Sequence, residues 1–437
     1  MKFDLSTVDS GAVAWVLAAT ALVMLMTPGV AFFYGGMVRA KGVLSIILQG
    51  FAILALVSCT WAIVSFSLAF GKGNGFIGDL HFAVLNHIDE VLPGYTGPKT
   101  MVIPPLVFAI FQMMFAVITP ALITGATADR WRFRAFVPFV VAWSLLVYAP
   151  VAHWLFDPLG WASKMGALDF AGGLVVHANS GAAGLAMALV LGRRRGWPED
   201  PMRPHNLPLM LMGAAMLWFG WFGFNAGSAL AANTLAAYAF VNTTLAASTG
   251  LLAWMAVEHS RFGKATTLGA ASGAVAGLVA ITPAAGFVNP GCALLIGIAA
   301  GAGCALAVSV KSWLRVDDSL DVVGVHLAGG LIGSLAVGLF ATTSINPAGA
   351  DGLFFGGGYR LLVAQAVAAA AVVSYSFAVT WGLASVLDRL VGNRVTAREE
   401  ERGLDLALHG ETAYESATPL PPVTKAAVSA DAVRPTV

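Results

Sequence analysis

Apolar residues run along this chain in long unbroken blocks, without the strict alternation of a half-buried strand. Eleven blocks stand out, at about 11–34, 43–70, 104–126, 135–155, 169–191, 207–226, 233–256, 266–284, 291–310, 322–342 and 358–388. Most are near or above the 18–20 residues that cross about 30 Å of hydrocarbon as a helix. They predict an all-α polytopic membrane protein of eleven transmembrane helices. The first and last are long enough to require tilt, and Pro28 predicts a kink in the first.

The polar breaks between blocks carry a second pattern. Arg39 and Lys41 follow the first span; Arg130, Arg132 and Arg134 the third; Arg193, Arg194, Arg195 and Arg203 the fifth. Arg261 and Lys264 follow the seventh, and Lys311 and Arg315 the ninth. The opposite loops hold only Lys72, Lys99, Lys164 and Arg360, with Lys2 at the terminus. Basic loops stay cytoplasmic, so the N-terminus is expected outside and the C-terminus inside.

Two of the spans carry histidines in near-copies of one motif. Asp169-Phe-Ala-Gly-Gly-Leu-Val-Val-His177 is followed by Gly181 and Gly184; Asp318-Ser-Leu-Asp-Val-Val-Gly-Val-His326 by Gly330 and Gly333. Each aspartate precedes its histidine by eight residues, and the glycines follow at +4 and +7. One copy is on the descending fifth span and the other on the ascending tenth. That is the mark of an inverted repeat, spans one to five against six to ten, with the eleventh added. If each aspartate began its helix, each histidine would lie about 12 Å deep, one reached from either side. Both would then meet near the midplane. Glycines at +4 and +7 share the histidine face and predict close backbone packing there. Ionisable groups inside a membrane are costly, so matched histidines point to a pathway, although two buried histidines bonded to backbone carbonyls would fit the residue types as well.

Composition adds little but excludes much. The chain is 58% hydrophobic and 11% charged, carries net charge +1, and has no basic cluster for nucleic acid. Cys59, Cys292 and Cys304 sit in apolar runs and read as packing residues. The first residues make a poor signal peptide, so the whole chain is retained. After Asn393 the sequence becomes charged and patterned to Tyr414, as if to dock; beyond about 416 it is rich in Pro, Ala and Val and is expected to be disordered.

The remaining constellations each allow two meanings. Asp169 is an N-cap or a cation site, or both, since a capping carboxylate also supplies negative potential nearby. Asp317, Asp318 and Asp321 suggest capping plus contact with Arg315. Phe111 and Phe115 share a helix face, as core or as a stacked gate offering a cation–π surface. Ser228, with Asn225, ends the sixth span, and its hydroxyl can serve a vestibule. Trp154, Phe156 and Trp161 follow the fourth span together and can form an interfacial aromatic belt.

Across about residues 10–416 the chain resembles the ammonium transporter family, the Amt/Mep branch of the Amt/Mep/Rh superfamily. The likeness rests on Phe-Tyr34-Gly-Gly-Met-Val-Arg-Ala-Lys, both histidine motifs, Gly-Trp-Phe-Gly-Phe-Asn-Ala-Gly-Ser228, and Gly-Leu-Asp-Leu-Ala-Leu-His-Gly-Glu-Thr-Ala-Tyr414. It implies a homotrimer with one pore per subunit and an ammonium or ammonia substrate. Phe111 and Phe115 would form the outer gate with Phe224, Ser228 the external ammonium site, and His177 and His326 the pore imidazoles. Asp169 would act near the vestibule without ligating. The tail would contact neighbouring subunits, and a PII-type regulator is implied at the cytoplasmic face. No cofactor, metal or enzymatic activity is implied. Where the family usually has a tryptophan at the recruitment site, Phe156 aligns, with Trp154 and Trp161 close enough to replace it. Residues 1–392 are expected to form the membrane domain and 393–437 the tail.

The mechanism follows from ion chemistry. An apolar pore makes carriage of the whole ion costly, and low dielectric favours loss of its proton. Ammonia then passes, while potassium has no proton to give up. Three rivals compete: an ammonium sensor signalling through the tail with little flux, an intramembrane metalloenzyme, and an ion-coupled amino-acid transporter.

Overall fold

The computed structural model describes residues 1–96, 100–200 and 202–414. Among them ten helical segments are long and apolar enough to span a membrane: Ser10–Met37, Ala40–Phe70, Pro105–Thr127, Phe133–Met165, Gly173–Leu191, Leu207–Gly227, Thr234–Phe262, Pro290–Leu314, Val323–Phe340 and Arg360–Val391. The eighth predicted span is the shorter helix Thr267–Ile281, which stops before Pro283 and continues to Phe287 as turns. All eleven predicted spans are therefore present, in the inverted-repeat architecture. The first helix runs unbroken through Pro28. The three cysteines are free, two buried and one exposed.

The two histidine helices differ from the sequence expectation at their starts. They begin at Gly173 and Val323, not at the aspartates, and their first turns are wide π-helical turns, Gly173–Ala178 and Val323–Leu327. His177 and His326 thus stand four and three residues inside, a rise of about 6 Å or less rather than 12. Each aspartate lies ahead of its helix and reaches back to cap it. Asp169 accepts four backbone N–H bonds, from Gly172 (3.0 Å) and Gly173 (2.6 Å) on Oδ1 and from Leu174 (2.9 Å) and Val175 (3.0 Å) on Oδ2. Asp318 accepts two, from Val322 (3.1 Å) and Val323 (2.7 Å). In both motifs the residue five before the histidine is left-handed: Gly172 at φ 109° and Asp321 at φ 64°. Glycine adopts this freely; the aspartate is held there by an ion pair to Lys311.

The small residues sit where the helices touch. A Cβ on Gly181 would lie 2.4 Å from the Leu327 nitrogen, and one on Gly330 would lie 2.8 Å from the Ala178 nitrogen. Each +4 glycine therefore packs on the residue following the opposite histidine. The crossing is reciprocal, as an inverted repeat demands.

At the cytoplasmic ends the expected contact of the aspartates with Arg315 is not what holds them. Arg315 turns out of the ninth span at φ 54°. Asp317 takes a bidentate pair from Arg194, at 2.9 and 2.8 Å, with Arg130 at 4.0 Å. Burial pushes the Asp317 carboxyl up, but these guanidiniums outweigh it and hold it below the ordinary carboxylate range. The buried Arg130 also donates to Ser319 (2.5 Å) and to the carbonyls of Ala126 (3.0 Å) and Asp317 (2.7 Å), tying the third span to the tenth.

The tail docks across the loops of its own chain. Its helix Ala397–Arg402 opens on a Thr396/Glu399 capping box. Glu400 accepts from Arg394 (2.9 Å) and from the Arg195 amide (2.6 Å). Asp405 caps the second span through the amides of Leu44 (3.0 Å) and Ser45 (2.7 Å), and Tyr414 bonds His205 at 2.8 Å. The segment beyond 416 lies outside the described residues.

Candidate functional site: a twin-histidine pore

The reciprocal crossing sets His177 and His326 side by side. Their Nδ1 atoms are 3.2 Å apart, and the rings lie 5.4 Å between centroids and 15° from parallel. Both are buried. A neutral imidazole has one N–H and one lone pair, so one Nδ1 donates and the other accepts. The pair then presents an acceptor Nε2 at one end and a donor Nε2–H at the other. His177 Nε2 has no protein partner, although it is buried.

The histidines line a cavity of about 20 Å³ whose other walls include Met26, Val30, Ile118, Leu122, Leu217 and Phe224. It holds about one molecule of water size. An unpaired polar nitrogen in an apolar lumen of this size suits one small neutral hydrogen-bonding molecule. A bare cation there would lose its hydration with almost nothing in return.

Above the histidines stands an aromatic column. Phe224 is 6.0 Å from the His177 ring and 4.3 Å from Phe115, and Phe115 meets Phe111 edge-on at 5.0 Å. Phe156 closes the outer end, 6.2 Å from Phe115 at 88°. Phe111, Phe115 and Phe224 are buried, whereas Phe156 is partly exposed. The expected belt of three aromatics is divided. Trp154 packs against Phe76, Trp161 and Tyr375, its indole N–H donating to the Phe76 carbonyl, so Phe156 is the ring that meets Phe115.

Ser228 follows Gly227, which rests on the Phe111 ring. Its hydroxyl donates to the Phe224 carbonyl at 2.8 Å, which leaves the oxygen lone pairs as acceptors. Asp169 is close to the outer aromatics through Gly172, beside the tip of Phe156. Its two oxygens already accept four amide bonds.

The profile of the Ammonium Transporter Family matches residues 14–414. The chain belongs to the ammonium transporter family. It is 48% identical to an ammonium transporter of Mycobacterium tuberculosis over 95% of this chain and 93% of that one. It is 47% identical to the ammonium transporter Amt1 of Archaeoglobus fulgidus over 93% and 100%. Its fold superposes on the crystal structure of Saccharomyces cerevisiae Mep2 with a TM-score of 0.83, 37% identity and coverage of 90% and 92%. A solved structure described as a sensor Amt protein matches with a TM-score of 0.83 at 30% identity, over 91% of this chain and 98% of that one. This multi-pass membrane protein is thus an ammonium transporter, not an enzyme, with a hydrophobic pore for ammonium or ammonia.

Two residues that line the histidine cavity, Trp221 and Tyr34, were not singled out from the sequence. Trp221 lies 5.3 Å from the His177 ring at 17°, its N–H fixed on Thr282 at 2.9 Å. Tyr34 lines the cavity and bonds the Leu122 carbonyl at 3.2 Å. The i, i+3 spacing of Trp221 and Phe224 was the available signal.

Proposed function

We propose that ammonium is recruited between Phe156, Phe115 and Ser228, loses its proton above Phe224, and crosses the lumen as ammonia. The observation that carries this is the 3.2 Å Nδ1 pair beneath a closed aromatic column. Ser228 offers an acceptor, the rings offer π-faces, and Asp169 offers a negative potential that favours the cation. The histidines donate to and accept from ammonia. Reversing both tautomers moves a proton along the pair, which gives a relay if charge follows. Current from protein in liposomes after an ammonium pulse tests this, with a potassium control. An ammonium-specific current lost in His177→Ala/His326→Ala is expected. An undiminished current in the double variant would sink the pore assignment.

Recruitment at Phe156 should be weaker than at an indole. Phe156→Trp is expected to gain about 0.5–1 kcal/mol, roughly two- to fivefold in apparent ammonium affinity. An unchanged concentration dependence of transport would refute that role.

Residues 1–392 would act as the transport domain in a homotrimer, and 393–437 as a regulatory tail meeting a PII-type protein at the cytoplasmic face. A second reading, a sensor signalling through the tail, is favoured by the hold of Asp405 and Glu400 on two cytoplasmic loops and by the likeness to the sensor Amt protein. Flux measured with and without residues from 394 onward separates the two: little flux in both forms, with signalling lost on deletion, favours the sensor, and full flux favours transport.

A further inference from the structure

We infer that His81, His87 and Glu90, on the outer loop after the second span, form a binding site for a divalent transition-metal ion of the zinc type. The ligand atoms of all three lie within 4.8 Å of one another. His81 Nε2 is 3.0 Å from Glu90 Oε2, and His87 Nδ1 is 3.5 Å from Glu90 Oε1. Ligands bonded to zinc at about 2.0–2.2 Å in a tetrahedron stand roughly 3.3–3.6 Å apart, so small side-chain adjustments bring these atoms into range. The two imidazoles are stacked, with centroids 4.5 Å apart and planes 14° from parallel, so one ring must turn about its side-chain bonds for both in-plane lone pairs to meet one ion.

Two nitrogens and one carboxylate select zinc, copper or nickel over calcium and magnesium, which take oxygen ligands. All three side chains reach solvent, at 43%, 54% and 24% exposure, so an ion enters without opening the fold. A fourth position remains for water.

The backbone that presents them is well anchored. Phe82, next to His81, is buried against Phe66, and its amide is held by Ser67 at 2.9 Å. Val84, Leu85 and His87 all have positive φ, and this turn brings the loop back so that His87 faces His81. Behind Glu90 the chain pairs with its own N-terminus: Phe3 donates to the Asp89 carbonyl at 2.8 Å, Val91 to Met1 at 2.9 Å, and Lys2 pairs with Asp89. Further along the same loop Tyr95 donates to the Phe156 carbonyl at 3.1 Å. An ion at this site would therefore bind two parts of a loop whose far end supports the recruitment aromatic.

Titration calorimetry of Zn²⁺ into the purified full-length protein, with any affinity tag removed, tests the site. One saturable site per chain is expected, weakened at least tenfold in His81→Ala and in Glu90→Gln, and not displaced by excess Ca²⁺ or Mg²⁺. Co²⁺ should give the visible absorption of a mixed nitrogen and oxygen site, lost in His87→Ala. Ammonium transport measured with a chelator present reports that the variants are folded. Absence of saturable zinc binding would overturn the inference. So would binding that survives all three substitutions, or equal competition by Ca²⁺.

Discussion

Asp169→Ala is expected to lower the yield and thermal midpoint of the folded transporter and to abolish transport. The carboxylate accepts four amide bonds at the start of the His177 helix and is 8% exposed. Alanine orphans those four donors at about 1–3 kcal/mol each, so the total loss should be at least about 4 kcal/mol. Asparagine should be nearly as harmful, because its one carbonyl oxygen cannot serve four donors and its own NH₂ faces the rest. Asp318→Ala, which frees two amides, should be milder. Heating the detergent-solubilised protein and measuring what stays monodisperse gives the comparison. Unchanged stability with lost transport would assign Asp169 to the substrate through its charge, and would remove the cap as its main contribution.

Gly181→Ala should damage transport more than Gly184→Ala, although both add one methyl to the same helix. At Gly181 the new Cβ would lie 2.4 Å from the Leu327 nitrogen and 2.7 Å from its Cα, backbone atoms that cannot turn aside. At Gly184 it would meet a Val322 methyl at 3.2 Å, a side chain that can give. The first change forces the helices apart, at about 1–3 kcal/mol of overpacking. It also stretches the 3.2 Å contact between the imidazoles. Transport should fall about tenfold or more, the scale of loss when a positioned group moves by about 1 Å. Liposome flux for the two variants side by side checks it; equal losses would mean that the crossing does not set the histidine geometry.

The glycine at +4 shows how far sequence can reach. Its spacing announced close packing on the histidine face, and the paired motifs announced that two such faces meet. The helix start was less legible. A carboxylate eight residues before a histidine looks like the first residue of a regular helix, and the left-handed backbone at Gly172 and Asp321 leaves no hydrophobic signature. Arg315 looked like the natural partner of the neighbouring aspartates by proximity in the chain, whereas Arg194 reaches Asp317 from a loop more than a hundred residues away. Trp154, Phe156 and Trp161 seemed one cluster because they are close along the chain, but successive positions on a helix and its following turn point in different directions.

Sequence by itself determined the eleven spans, their orientation and the twofold plan, because hydrocarbon thickness, charge placement and repeated motifs act locally along the chain. It also singled out the two histidines and the phenyls Phe111 and Phe115 as candidate residues. Only the tertiary structure decided that the imidazoles share a hydrogen-bond distance, that Phe156 rather than a tryptophan faces Phe115, and that Trp221 underlies His177. Those relations are distances between distant segments, set by helix crossing and side-chain direction, and neither leaves a period in the sequence.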